Sequence, residues 1–276
     1  MVDKQPASFT FHRIREQAER GDIAAWRAFL GLYSPLYLHL LALCLPEVEA
    51  GPGVWEKTLG SLVNNDFERF RATSRQSERE FLADVRDLLV DAALEAPREI
   101  EAAKAESPAL NLEKLGKVIA DLPLLHQEIL FFKLAGYTDA TLELVMRVAP
   151  RVAQDSFERL APDYAAAQKL TRDRCVWPAE WLQMLSQARA AKTDKCPALH
   201  QFLRIQDGQV SWYDKEPVEA HVANCLHCLV AWTGLREVGY WRRHAPPVPP
   251  ALVAGFLQVL PAGGTPKKSL LARVFG

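Results

Sequence analysis

Apolar residues recur at three- and four-residue spacing over residues 9–46, and the pattern breaks at Gly21-Asp22. That predicts two helices, with Asp22 as the N-cap of the second. Trp26, Phe29 and Tyr33 fall on one face of this second helix, the stripe expected of a packed core. A break over 49–54 precedes a helix over about 54–68. The polar turn ATSRQSE then leads to a helix over 79–95 with Phe81, Leu82, Val85, Leu88 and Leu89 as its apolar face. Residues 96–110 lose the periodicity and read as a linker. A second compact unit spans 111–165, with one helix stopped near Pro123, one ended by Gly136, one opening on Thr138 and one opened by Pro150. Two short helices joined by a tight turn after a supporting helix form a helix-turn-helix arrangement. Residues 166–193 connect to a third unit over 194–241, with Trp177 and Trp181 one turn apart for packing against a neighbour. After Trp241 come a proline-rich break, a short apolar helix and a basic tail, 242–276. The whole reads as all-α: two small helical domains followed by a short third one.

The third unit carries the densest chemistry. HVANCLHC, residues 221–228, supplies His221, Cys225 and Cys228 in the pattern H-x3-C-x2-C. On a continuous helix all three project from one stripe. Cys196 precedes an amphipathic helix, Pro217 sits in the first turn of the next, and the polar connection between them carries Gly208, so the chain doubles back. Four soft or borderline donors suit tetrahedral Zn2+, and a Cys3His set leaves no position for water, so the metal is structural. His200 and His227 are rival nitrogen donors: His227 lies between the two cysteines but off their stripe, and His200 follows Cys196 by one turn. Zinc-bound thiolates can also be oxidised and eject the metal, which makes redox sensitivity a property to test. Cys44 reads as a buried apolar residue, and Cys175 stands alone.

Charge narrows the function classes. The 33 basic and 34 acidic side chains give a net charge of −1, which argues against a chain held to nucleic acid by bulk charge. His12, Arg13 and Arg15 interrupt the first apolar residues, so no secretory signal is expected. The run ALVAGFLQVL (251–260) is half the length a bilayer requires. Five cysteines, an odd number, suit reduced thiols and a cytoplasmic location. No nucleophile–base pair or glycine-rich phosphate loop appears, so an enzyme is not expected.

The segment 194–241 resembles the zinc-binding anti-sigma fold, in which a Cys or His upstream of H-x3-C-x2-C supplies the ligands. The two upstream units resemble the two domains of an extracytoplasmic-function sigma factor. Gly21, Asp22, Ala25, Trp26, Phe29 and Tyr33 match the opening of that family's region two, and Phe70, Arg71, Phe81, Leu82, Val85, Arg86 and Asp91 match its later helix. Leu122, Pro123, Glu128, Ile129, Leu130, Gly136, Tyr137 and Thr138 follow region four. The resemblance implies a transcription regulator acting with core RNA polymerase or a sigma factor, with its inhibitory zinc unit fused in cis.

The departures from that pattern concern charge. The helix that grips polymerase in the family carries an acidic-glutamine cluster; here GVWEKTLGSLV offers only Glu56. Residues 87–106 hold Asp87, Asp91, Glu95, Glu99, Glu101 and Glu106 against Arg98 and Lys104, where the family has a run of arginines that meets promoter DNA. A surface of that sign repels phosphates. In the candidate recognition helix Arg151 and Arg159 are balanced by Asp155 and Glu158, leaving Arg151, Gln154 and Arg159 as the residues that could reach DNA. Two functions follow: a divergent sigma factor restrained by its own zinc unit, or an interaction protein that keeps the fold without binding DNA and regulates a sigma factor or polymerase.

Overall fold

The computed structural model describes residues 10–44, 50–72, 77–95, 120–135, 137–149, 151–152, 155 and 178–260. Every regular element among them is helical: α1 (Phe11–Glu19), α2 (Ile23–Cys44), α3 (Ala50–Ala72), α4 (Glu78–Glu95), α5 (Leu124–Leu134), α6 (Asp139–Met146), α7 (Pro178–Ala190), α8 (Leu199–Gln206), α9 (Trp212–Asn224), α10 (Leu226–His244) and α11 (Pro250–Leu257). None of these helices is long and apolar enough to cross a membrane.

Helices α1–α4 share one aromatic core. Gly21 turns the chain at φ 79°, and the Asp22 carboxylate caps α2 by accepting from Ala24 N at 2.7 Å. Trp26 and Phe29 of α2 meet Phe70 of α3 at ring-centroid distances of 5.6 and 5.9 Å, and Phe70 meets Phe81 of α4 edge-on at 5.5 Å. The residues that carry the sequence resemblance in this region are therefore largely core residues. Tyr37 stacks on Trp55 at 4.5 Å, and its hydroxyl donates to Leu82 O at 3.0 Å.

Two backbone features differ from the sequence expectation. The break expected over 49–54 is instead the start of α3, because Pro52 falls in the first turn, where a missing N–H costs no hydrogen bond. Further along the same helix Phe67 takes φ 61°, a left-handed conformation that costs about 1–2 kcal/mol for a residue with a Cβ. Burial of both Phe67 and Phe70 against Trp26 offsets that strain. In α2, Pro35 has no N–H to give to the carbonyl of Gly31, one turn back.

Helices α5 and α6 are short and in contact. Thr138 caps α6, its hydroxyl accepting from Thr141 N at 3.3 Å, and Arg147 ends it in the left-handed region at φ 55°. Pro150 and most of the helix expected after it lie outside the described residues, as do the 96–110 linker, Gly136, Cys175 and Trp177.

Helix α10 organises the molecule. It touches α2, α4, α5, α6, α7, α8 and α9. Its burial follows: Leu229, Val230, Trp232, Leu235, Val238 and Trp241 all lie in the core. The helix runs to His244, past the Trp241 boundary read from sequence, and α11 then folds back onto α2 with Phe256 fully buried.

Candidate metal centre

Four local structures bring the ligands together. Cys196 sits in a turn after α7, its N–H donating to Thr193 O at 3.1 Å. In return Thr193 N–H points at the Cys196 sulfur from 3.3 Å. Helix α8 follows, its first turn closed by the Gln201 side chain accepting from Ala198 N at 3.0 Å. It ends in a Schellman motif: Gln209 N donates to Arg204 O at 2.8 Å, Gly208 N donates to Ile205 O at 3.0 Å, and Gly208 takes φ 69°. Gly208 is thus the residue that lets the chain reverse.

Helix α9 starts earlier than the proline suggested. Ser211 is its N-cap, accepting from Asp214 N at 3.3 Å, so Pro217 lies inside the helix rather than in its first turn. The serine cap decides the start, since its hydroxyl satisfies a backbone donor that a start at Pro217 would leave open.

The expectation of one continuous ligand stripe is also corrected. The helix breaks at Cys225, whose φ of −133° and ψ of 109° are extended. His221 therefore projects from the last turn of α9, Cys225 from the break, and Cys228 from the first turn of α10. The break is what allows donors close in sequence to surround a point instead of lying along a line.

The donor atoms of Cys196, His221, Cys225 and Cys228 all lie within 4.8 Å of one another, close enough to hold one metal ion. Cys196 and Cys225 sulfurs are 3.9 Å apart. Tetrahedral coordination at a Zn–S length of about 2.3 Å sets sulfurs about 3.8 Å apart, whereas a disulfide needs about 2.05 Å. His221 Nε2 is buried with no hydrogen-bond partner, a cost that a metal bond removes. Of the rival donors, His200 is exposed and His227 faces α4, beside Arg86 and Asp87.

Electrostatics within the cluster favour an anion. Burial pushes the Cys196 thiol up, but the Thr193 N–H and hydroxyl, with His221 and Cys228, bring it down to about 6. Burial and the neighbouring thiols push Cys228 the other way, far above the usual range. The cluster thus favours the thiolate at Cys196 and the protonated thiol at Cys228, and a divalent cation would offset the cost of a second anion there.

A second constellation, not legible in the sequence, lies along the rest of α10. Glu237 is 2 % exposed and accepts from Arg86 Nε of α4 at 2.5 Å and from the Tyr137 hydroxyl at 2.7 Å. Trp241 Nε1 donates to the Tyr137 oxygen at 2.9 Å, and His39 of α2 packs 3.9 Å from the Trp241 ring. One carboxylate therefore joins the first helical unit to the chain that opens α6. Arg79, two turns before Arg86, donates to Asp207 at 2.7 Å and to Gln206 at 2.9 Å.

Both arginines rest over glycines of α10. A Cβ at Gly234 would lie 3.2 Å from Arg86 Nη1, and one at Gly239 would lie 3.0 Å from Arg79 Nε. Interior helix glycines at 234 and 239 were the available sequence signal, since each costs about 1 kcal/mol relative to alanine and so marks a close approach. On the other side, Arg236 donates to buried Glu128 at 2.5 Å, and Gln127 Nε2 donates to Ala223 O at 2.9 Å.

Of the candidate DNA-contacting residues, Arg151 is exposed; Gln154 and Arg159 lie outside the described residues. Comparison with family models, characterised proteins and solved structures returned no match for this chain.

Proposed function

We propose that this chain is a sigma-factor-like transcription regulator restrained by its own zinc unit. In this reading Cys196, His221, Cys225 and Cys228 hold a structural Zn2+ that fixes the start of α10. The rest of α10 then clasps the two upstream units. The observation that carries the reading is the position of Glu237: a buried carboxylate of the third unit that takes hydrogen bonds from both Arg86 and Tyr137. A helix so placed covers surfaces of both units at once, as an inhibitor in cis must. Core RNA polymerase is the partner the upstream units would engage when α10 lifts.

The test is co-purification of core RNA polymerase with the full chain and with a Cys225→Ala, Cys228→Ala variant. The variant should retain polymerase and the parent far less; if neither retains it, the sigma reading fails. A second reading, an interaction protein that does not touch DNA, draws support from α4. Its two arginines, Arg79 and Arg86, are both committed to carboxylates, and its other charged residues are acidic. Retention of polymerase without promoter binding by the same variant selects that reading.

A further inference from the structure

We propose that this chain associates with copies of itself head to tail, the proline segment after α10 of one copy seating on Trp212 and Tyr213 of the next. Residues 245–249 take the polyproline II conformation: Ala245 has φ −62° and ψ 139°, and Pro249 has φ −57° and ψ 136°. That helix has three residues per turn, and the burial follows the same period. Ala245 and Val248 are half-buried, whereas Pro246, Pro247, Pro249 and Pro250 are exposed. One edge therefore rests on the protein, and the two outward edges are all proline. Pro249 and Pro250 start α11, a task that requires neither Pro246 nor Pro247. The carbonyls of Pro246, Pro247 and Val248 accept no hydrogen bond among the described residues. A segment of this kind is rigid before it binds. It calls for aromatic rings against its prolines and for N–H or O–H donors to its carbonyls.

The molecule displays that chemistry itself. Trp212 and Tyr213, in the first turn of α9, are 64 % and 85 % exposed, the highest values among the large hydrophobic side chains described. Each offers a ring and one donor, the indole N–H and the phenol O–H. Being exposed, they do not cover the proline segment of their own chain. Charge pairs the same two regions. Residues 204–219 hold Asp207, Asp214, Glu216 and Glu219 against Arg204 and Lys215, while residues 238–260 hold Arg242 and Arg243 and no acid. Asp214 and Glu216, just after the two rings, make no ion pair among the described residues, and neither does exposed Arg243, just before the proline segment. A cation at the head of the segment thus meets carboxylates beside the rings.

Other occupants fit less well. The acids beside Trp212 and Tyr213 disfavour a nucleic acid stacking on those rings. Residues 261–276 carry Lys267, Lys268 and Arg273, no acid, and neither Trp nor Tyr, so the tail lacks both the donors and the charge that the proline segment calls for. Because the two patches differ, the contact is heterologous: each copy gives its prolines to one neighbour and its aromatic pair to another. The contact is also small, so it forms and dissolves with concentration.

Sedimentation velocity of the full chain over about 1 µM to about 1 mM reads contacts of that strength. The sedimentation coefficient of the parent should rise with concentration, and less steeply at high salt. Trp212→Ser with Tyr213→Ser removes one patch. Pro246→Ser with Pro247→Ser removes the other and leaves the prolines that start α11 in place. Each variant alone should stay monomeric across the range while keeping the helical circular dichroism of the parent. Mixed one to one, the two variants should form a dimer and nothing larger, since each supplies the patch that the other lacks. A synthetic peptide of residues 243–251 reads the same contact without altering the fold, and it should return the parent to monomer. A parent that is monomeric throughout overturns the proposal, and its prolines and aromatic pair would then be free for a different protein. Association that survives either variant, a mixture that does not pair, or a peptide that does not compete overturns it as well. The readout needs neither metal nor polymerase, so its failure leaves the sigma-like reading standing, and the reverse.

Discussion

Helix α10 is held at its two ends by different physics. At its N-terminal end, four donors drawn from residues 196–228 converge within 4.8 Å, and the arrangement is local. Further along, Arg86, Tyr137, Glu237 and Trp241 meet, with Arg86 and Glu237 151 residues apart in the chain. The cluster can contribute strongly to stability, because structural zinc in small domains is worth about 10–16 kcal/mol. The junction contributes differently. A buried ion pair roughly cancels its own desolvation, so its role is to specify which surfaces meet rather than to stabilise them. A switch at one end can therefore act on a selective, weakly stabilising contact at the other.

The largest expected effect comes from breaking the cluster. Chelation, or Cys225→Ala, should remove helical circular dichroism and expose the amides of residues 191–230 to hydrogen exchange, while α1–α4 keep their protection. Loss of protection throughout the chain would mean that the two ends are not separable. Acid should act in the same direction. Cys196 is lowered from 9.0 to about 6, so its thiolate favours the folded state most fully above pH 9. That contribution is lost as the pH falls through about 6. Because metal binding needs thiolates, metal affinity should drop steeply over the same range, as competition titrations would report.

Next in size is the junction. Glu237→Leu leaves the Arg86 guanidinium buried without its carboxylate and should cost about 3–5 kcal/mol in denaturant melts. Arg86→Met combined with Glu237→Leu should recover most of that loss, since two apolar side chains replace two desolvated charges. If the double variant is as unstable as the single one, the pair is a stabilising element after all and the contrast drawn above collapses.

The same contrast explains what could be read in advance. His221, Cys225 and Cys228 are scarce residue types at short spacing, and that spacing marked three of the four residues that cluster within 4.8 Å. Their placement on one helical stripe did not hold, because the extended backbone at Cys225 leaves no mark in the spacing. Asp22 and Thr138 were recognised as caps because a cap is a local hydrogen bond, made within three residues. The start of α9 was missed because Pro217 is a conspicuous signal and Ser211 a quiet one. Around Glu237 the signal is indirect: Gly234 and Gly239 mark a close approach to α10, but Arg236 beside the glutamate suggests a solvated helix face. Its partners lie in other units, and only the tertiary structure pairs them.

The smallest expected effect separates the two arginine seats. Gly234→Ala and Gly239→Ala both gain about 1 kcal/mol of intrinsic helix stability, so any difference between them reports the neighbour's freedom. At 234 the added methyl meets Arg86, whose side chain is 3 % exposed and pinned by Glu237; it cannot retreat without breaking that bond. At 239 it meets Arg79, which is 18 % exposed, sits at the edge of the interface and pairs with a half-exposed Asp207. The closer approach, 3.0 Å, is thus at the more yielding side chain. Gly239→Ala should be neutral or slightly stabilising in thermal melts, and Gly234→Ala should destabilise by about 1–3 kcal/mol through overpacking. Equal losses at both sites would show that distance alone governs the fit, and that Arg86 is no more firmly held than Arg79.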